Sequence, residues 1–216
     1  MVVSGMKAAL AAFRMCDPRV KILFRAKDSQ NVHRGTIVLR VAGRARALLT
    51  AERTAVNFLA RLSGIATLTR VYVSALPAGS RAKILDTRKT TPNLRLLEKN
   101  AVRHGGGTNH RMSLADAVLI KDNHVTLLGG VARAVSETRA RLGPQIPIEV
   151  ETQTLLEVSQ ALSSGAGRIL LDNMNDPDVR AAVKMVNGKI PVEVSGGVTI
   201  SRIPRLARLG VDFISV

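Results

Sequence analysis

Six short apolar runs recur along residues 82–215, and each of the first five meets a polar cluster before an amphipathic stretch follows. The runs centre on Ile84, Val118, Ile148, Ile169, Val192 and Phe213. Runs of this length predict buried parallel strands. The stretches between them predict helices, with Val131, Val135 and Leu142 marking one and Leu155, Val158 and Leu162 the next. A third has Asp176 as N-cap, Pro177 in its first turn, Val179, Val183 and Val186 inside, and Gly188 beyond its end. A fourth holds Ile203, Leu206 and Leu209, and Pro204 fits it only if the helix starts near Ser201. Between the first two runs, residues 92–102 predict a helix capped by Thr91, with Leu94, Leu97 and Ala101 on one face. Repeated βα units mean a parallel sheet, either doubly wound or curled into a barrel.

The first third of the chain has a different rhythm. The VKILF run is a strand, residues 27–31 a turn, and Val32, Ile37, Leu39 and Val41 alternate around Gly35. Thr50 then caps a long helix with Ala55, Val56, Leu59 and Leu62 on one face, bent at Ser63-Gly64. The Pro77-Ala78-Gly79-Ser80 linker divides residues 1–78 from the βα repeats of 79–216.

The polar residues at the strand ends favour the barrel. Asp86-Thr87-Arg88-Lys89 and Lys121-Asp122-Asn123-His124 come after the first two strands. Glu149-Val150-Glu151, Asp172-Asn173 and Glu193-Val194-Ser195-Gly196-Gly197 accompany the next three. Polar side chains cost several kcal/mol when buried without partners, so five such clusters in register imply one shared wet cavity at the strands' carboxyl ends.

Composition narrows the field. The formal charge is +16, from 32 cations and 16 acids, but the cations are dispersed and only 2% of residues are aromatic. Single-strand nucleic-acid binders interleave cations with stacking rings, so small acidic substrates explain the charge more economically. The lone Cys16 excludes an intramolecular disulfide and fits a cytoplasmic setting. The chain has no stretch long and apolar enough for a membrane helix, and its opening residues lack a secretory pattern. No dinucleotide or P-loop glycine pattern comes after a strand.

The clusters suit an anion. Arg88, Lys89, His110, Arg111 and Lys121 offer the donors that carboxylates and phosphates need. Ser195-Gly196-Gly197 opens a helix late in the repeat series and reads as a phosphate seat. Glu151 and Asp172 could hold Mg²⁺, partly through water, or bind ribose hydroxyls. His104, beside the Gly105-Gly106-Gly107 run, reads as structural, and Arg53 as a solvated first-turn residue. No Ser-His-Asp or Cys-His set is visible, which favours electrostatic catalysis over a covalent intermediate.

Five motifs carry a family resemblance: LLTAERTAVNFLARLSGIAT, ILDTRKTTP, LLEKNAVRHGGGTNHRMSLADAVLIKDNH, VEVSGGV and GVDFISV. They resemble nicotinate-nucleotide pyrophosphorylase (carboxylating), the quinolinate phosphoribosyltransferase family. The resemblance implies an N-terminal α/β sandwich, a partly open α/β barrel and a homodimer with shared sites. It implies transfer of a phosphoribosyl group from phosphoribosyl pyrophosphate to quinolinate, with decarboxylation to nicotinate mononucleotide. Arg88, Lys89, His110, Arg111 and Lys121 would grip the quinolinate carboxylates and pyrophosphate, with Lys89 and Lys121 among the catalytic groups. Arg53 would cross to the partner's site, against the solvated reading. Glu151 and Asp172 would serve catalysis, the ribose hydroxyls and Mg²⁺; Ser195, Gly196 and Gly197 would hold the 5′-phosphate.

Departures from the family pattern raise further expectations. The chain stops at Val216, before a phosphate-cup loop, and begins inside the usual first domain, so both ends are expected to be truncated and activity weak or lost. Asn93 replaces a glycine. A molybdenum-transport-associated paralogue shares the barrel but not the KDNH pattern, and a non-catalytic basic remnant is the other alternative.

Overall fold

The computed structural model describes residues 1–216 and shows two compact units. Residues 1–73 with 89–109 form the first, and residues 74–88 with 110–216 the second. Segment 89–109, which a linear division at residue 78 assigns to the βα repeats, clusters instead with the N-terminal residues.

In the first unit, α1 (Met6–Cys16) precedes β1 (Lys21–Arg25) and β2 (Leu39–Ala42), an antiparallel pair with a register shift between Ile22 and Phe24. Helix α1 is additional to the elements expected from sequence. Its buried stripe of Met6, Ala9, Leu10 and Phe13 has helical spacing, in a stretch whose sequence speaks chiefly against a targeting signal. Helix α2 (Ala45–Ser74) begins earlier than Thr50 suggests and runs unbroken through Ser63-Gly64. Thr50 is no cap: it lies inside the helix and its hydroxyl donates to the Arg46 carbonyl at 2.8 Å.

Helix α3 (Arg95–His104) starts three residues later than residue 92, because Asn93 takes φ 63 and interrupts helical geometry. Thr91 does not cap it; its amide donates to Glu98 at 3.1 Å. Ala101 and Leu97 of α3 pack with Leu62 and Ala66 of α2. The glycine run makes this approach possible. A Cβ on Gly105 would lie 2.5 Å from the Ala66 carbonyl oxygen, and one on Gly107 2.8 Å from the Thr69 methyl. Gly105→Ala is therefore expected to cost about 1–3 kcal/mol by overpacking, measurable as a lowered urea midpoint with an unchanged slope. His104 accordingly faces its own unit, its Nδ1 2.8 Å from the Ser4 hydroxyl.

The second unit is a parallel α/β fold. Its strands are β3 (Lys83–Leu85), β4 (Val118–Ile120), β5 (Ile148–Thr152), β6 (Arg168–Asp172), β7 (Val192–Ser195) and β8 (Phe213–Ser215). They form one six-stranded sheet in the order β3-β8-β7-β6-β5-β4. The edges β3 and β4 are not hydrogen-bonded to each other, as a partly open barrel requires. Helices α4 (Asp122–Leu128), α5 (Val131–Leu142), α6 (Leu155–Ser163), α7 (Asp176–Val186) and α8 (Ile203–Leu209) succeed the strands. Asn175, not Asp176, caps α7, accepting the Asp178 amide at 2.9 Å. Pro204 sits at the start of α8, where its missing N–H costs nothing.

Residue parity separates the two faces of this sheet. Ile148, Val150, Ile169, Leu171, Val192, Val194 and Ile214 are all buried and form its apolar face, against which the helices pack. The alternate residues are Glu149 and Glu151 on β5, Arg168 and Asp172 on β6, Glu193 and Ser195 on β7, and Phe213 and Ser215 on β8. Directly paired residues of a parallel ladder point to the same side. The registers Glu149 with Arg168, Leu170 with Glu193, Asp172 with Ser195 and Glu193 with Phe213 thus gather the polar set on one face.

Candidate active site

The polar face has two levels. Nearer the carboxyl edge, Glu151, Asp172 and Ser195 occupy the adjoining strands β5, β6 and β7. All three are partly exposed. Asp172 accepts a hydrogen bond from the Asn173 amide group at 3.0 Å, and the Asn173 backbone N–H donates to the Ser195 carbonyl at 2.9 Å.

The turn after β7 requires glycine. Gly196 has φ 88, and a Cβ there would lie 2.2 Å from Asn173 Oδ1. Gly197, at φ 58, is also left-handed. A cleft of about 520 Å³ opens beside this turn, lined by Gly196, Gly197, Asn173 and Asp176 with Arg202 and Arg205. Both arginines pair with Asp176, Arg202 at 2.9 Å, and Arg202 also donates to the Met174 carbonyl at 2.6 Å. Two guanidiniums against one carboxylate leave the cleft electropositive.

Cations cluster at the open seam of the sheet. Arg88 lies just beyond β3, and its charge depresses the Arg111 guanidinium, whose pKa is lowered first by burial and then by Arg88. Such crowding of like charges suits an anionic ligand. Arg111 is anchored by donating to the Ala117 carbonyl, just before β4, at 2.8 Å. Lys121 is exposed at the end of β4, and its amide donates to His124 Nδ1 at 3.0 Å. Residues 122–128 form α4 directly after that strand, a helix that the polar cluster has no apolar periodicity to reveal.

His110 differs from the expected grip on substrate, because both of its ring nitrogens engage protein groups. Nε2 lies 3.0 Å from Glu149 Oε2 and 3.5 Å from Glu193 Oε2, and Nδ1 accepts the Arg111 amide at 2.8 Å. The His110 amide donates to Asp86, just after β3, at 2.8 Å. Glu193 is buried and also takes hydrogen bonds from Arg168 at 3.1 Å and Ser215 at 2.6 Å. Burial pushes the Glu193 carboxyl up, but the His110 and Ser215 bonds outweigh it and hold the group below its ordinary value. Burial raises Glu149. In the sequence both glutamates stand in the strand-end clusters with no role of their own. Their even spacing from Glu151 and Ser195 is the signal that places them on the same face.

Arg53 and Lys89 belong to the first unit, where both are exposed, Arg53 on α2. Arg88, His110, Arg111, Lys121, Glu151, Asp172, Ser195, Gly196 and Gly197 all fall in the second.

Residues 1–63 match the family model described as the quinolinate phosphoribosyl transferase N-terminal domain, and residues 65–216 match that of its C-terminal domain. The chain belongs to the quinolinate phosphoribosyl transferase family. Among relatives, it is 44% identical over 217 residues to a probable nicotinate-nucleotide pyrophosphorylase [carboxylating] of Synechocystis, covering 99% of this chain and 73% of that protein. It is 40% identical to the Bacillus subtilis protein of the same description, covering 100% and 74%. Among solved structures, NadC from Streptococcus pyogenes superposes with a TM-score of 0.95 at 40% identity, over 100% of this chain and 76% of that one. The α/β fold with its six parallel strands and small antiparallel sheet is thus that of the quinolinate phosphoribosyl transferase family.

Proposed function

We propose that this chain transfers the phosphoribosyl group of phosphoribosyl pyrophosphate to quinolinate and releases carbon dioxide, giving nicotinate mononucleotide and pyrophosphate for NAD biosynthesis. The observation that carries this reading is the placement of Glu151, Asp172 and Ser195 on adjoining strand ends, with an obligatory glycine turn next to them. Acids for a sugar stand beside a seat for its phosphate. Arg88, Arg111 and Lys121, with Lys89, supply counter-charge for the two quinolinate carboxylates and for pyrophosphate. No helix of the chain is long and apolar enough to cross a membrane.

In the first step the pyridine nitrogen lone pair forms the bond to the anomeric carbon, while the bond from that carbon to pyrophosphate oxygen breaks. Asp172 and Glu151 favour the cationic sugar that develops, and the arginines and lysines favour the departing anion. In the second step the bond from ring carbon 2 to its carboxylate breaks. Its electron pair is stabilised by the adjacent pyridinium, and carbon 2 then takes a proton. The protein's part is orientation and charge compensation. Glu151 and Asp172 present hard oxygen donors on adjoining strands, which fits Mg²⁺. When bound there, the ion would supply further charge neutralisation.

The working form is a homodimer in which the exposed Arg53 of one chain completes its partner's site. Mixing Arg53→Ala with Asp172→Ala is expected to restore about a quarter of wild-type turnover, since random pairing leaves one intact site in half of the dimers. Additive residual activity would remove the shared site. The function itself is tested by incubating the chain with quinolinate, phosphoribosyl pyrophosphate and Mg²⁺. Stoichiometric nicotinate mononucleotide and pyrophosphate are expected; quinolinate that is bound but never converted would reject the enzymatic reading.

A further inference from the structure

The buried level of the polar face has no place in the reaction just described, and its arrangement calls for an explanation. Charged groups in an interior are costly unless each meets a partner. Here Glu149, Arg168, Glu193 and Ser215 come from four successive strands, and all meet at or near one ring. That ring belongs to the segment spanning the seam of the sheet. The His110 amide is tied to Asp86 beyond β3, and the Arg111 guanidinium to Ala117 before β4. The two edge strands share no ladder, so this segment reaches both.

We propose that Glu149 and Glu193 are positioning residues. By accepting the His110 Nε2–H they leave Nδ1 bare for the Arg111 amide, and so fix the Arg111 guanidinium where it meets a substrate carboxylate. The inference rests on the proposed role of Arg111 as a quinolinate ligand. It adds that specificity for the dicarboxylate is set from beneath the site, through the tautomer of His110.

Two features of the cluster support this over a metal site. The ligand atoms of His110, Glu149 and Glu193 lie within 4.8 Å of one another, a spacing that could hold an ion. Yet a ring whose Nδ1 accepts a backbone N–H carries its hydrogen on Nε2, and no lone pair then faces the carboxylates. Arg168 already supplies the cation, 3.1 Å from Glu193 and 3.8 Å from Glu149. It is held in place over the Phe213 ring at 4.3 Å. The two glutamates raise the His110 pKa to about 9, which taken alone would place a second proton on the ring. The Arg111 amide opposes that proton.

Nitrogen-15 NMR of the labelled wild-type chain at pH 7 tests the tautomer directly. A His110 ring with Nε2 protonated and Nδ1 bare is expected. Two protonated nitrogens, or a ring resonance displaced stoichiometrically by Zn²⁺ alone, would overturn the proposal. In turnover, Glu193→Gln is expected to raise KM for quinolinate on the order of tenfold, as for a lost charge-assisted hydrogen bond. KM for phosphoribosyl pyrophosphate should stay within twofold. Ser215→Ala, a milder change on the same carboxylate, should move quinolinate KM in the same direction and serves if Glu193→Gln fails to fold. Equal rises in both KM values, or none, would show the cluster to be purely architectural. A wild-type chain that binds no quinolinate would refute the functional reading, whereas the ring spectrum reports on the network independently.

Discussion

Asp172→Ala is expected to lower kcat for nicotinate mononucleotide formation by about 10²–10³-fold, the usual effect of deleting a group aimed at developing charge. Asp172 is the last residue of β6, is partly exposed, and accepts its hydrogen bond from the neighbouring Asn173, so its carboxylate contributes little to packing. The thermal midpoint should therefore move by only a few degrees. Asp172→Asn separates charge from shape. It keeps the volume and one acceptor, and a loss within tenfold of the alanine variant would assign the effect to charge. Steady-state rates at saturating substrates, beside a melting curve for each variant, make the measurement. A kcat within twofold of wild type would remove Asp172 from the reaction.

Glu193→Ala is expected to act on stability instead, costing about 3–5 kcal/mol, because truncation leaves buried charge without its partner. Glu193 is fully buried, and it serves Arg168, Ser215 and His110 at once. The pH dependence has a definite sign. The folded carboxyl sits below its ordinary value of 4.5, so its stabilisation is present above that pH and lost as pH falls through the lower folded value. Glu98 adds to the same acid limb: burial raises it, but bonds from Arg61 and Thr91 outweigh burial and hold it below 4.5. Urea unfolding from pH 7 to pH 3 should show wild-type stability declining below about pH 4.5, and a shallower decline for Glu193→Gln. Identical acid limbs would mean that Glu193 carries no charge in the folded chain.

The βα part of the fold is legible in the sequence because its signals are local. Each of the first five strands ends where an apolar run meets a polar cluster, and the helices of 131–142, 155–163 and 203–209 obey their apolar spacing. Sequence and structure part where one side chain has two uses. Thr50 has the chemistry of a cap yet bonds back within α2, and Asp176 resembles a cap but spends its carboxylate on Arg202 and Arg205. Asn93 does not announce its left-handed backbone, which delays α3. The clustering of 89–109 with the N-terminal residues depends on glycines whose value is a close approach to α2, a contact far away in sequence.

The candidate site is legible as a set of strand-end residues, and three of them, Glu151, Asp172 and Ser195, lie on the adjoining strands β5, β6 and β7. Its lower level is hidden because Glu149 and Glu193 look interchangeable with Glu151 and Ser195 when a cluster is read as a string. Two residues along a strand is about 6.6–6.8 Å. That step separates the partly exposed carboxylate of Glu151 from the buried one of Glu149, sealed against Arg168 and His110. His110 misleads on the same grounds, since a histidine beside an arginine reads as an anion grip until its ring nitrogens are seen to be engaged.

Calorimetric titration of quinolinate into the wild-type chain, Arg111→Ala and Lys121→Ala tests most directly whether these strand ends form one anion site. Saturable binding by the wild type, weakened at least tenfold in both variants, is the predicted result. Undiminished binding in either variant would contradict the account.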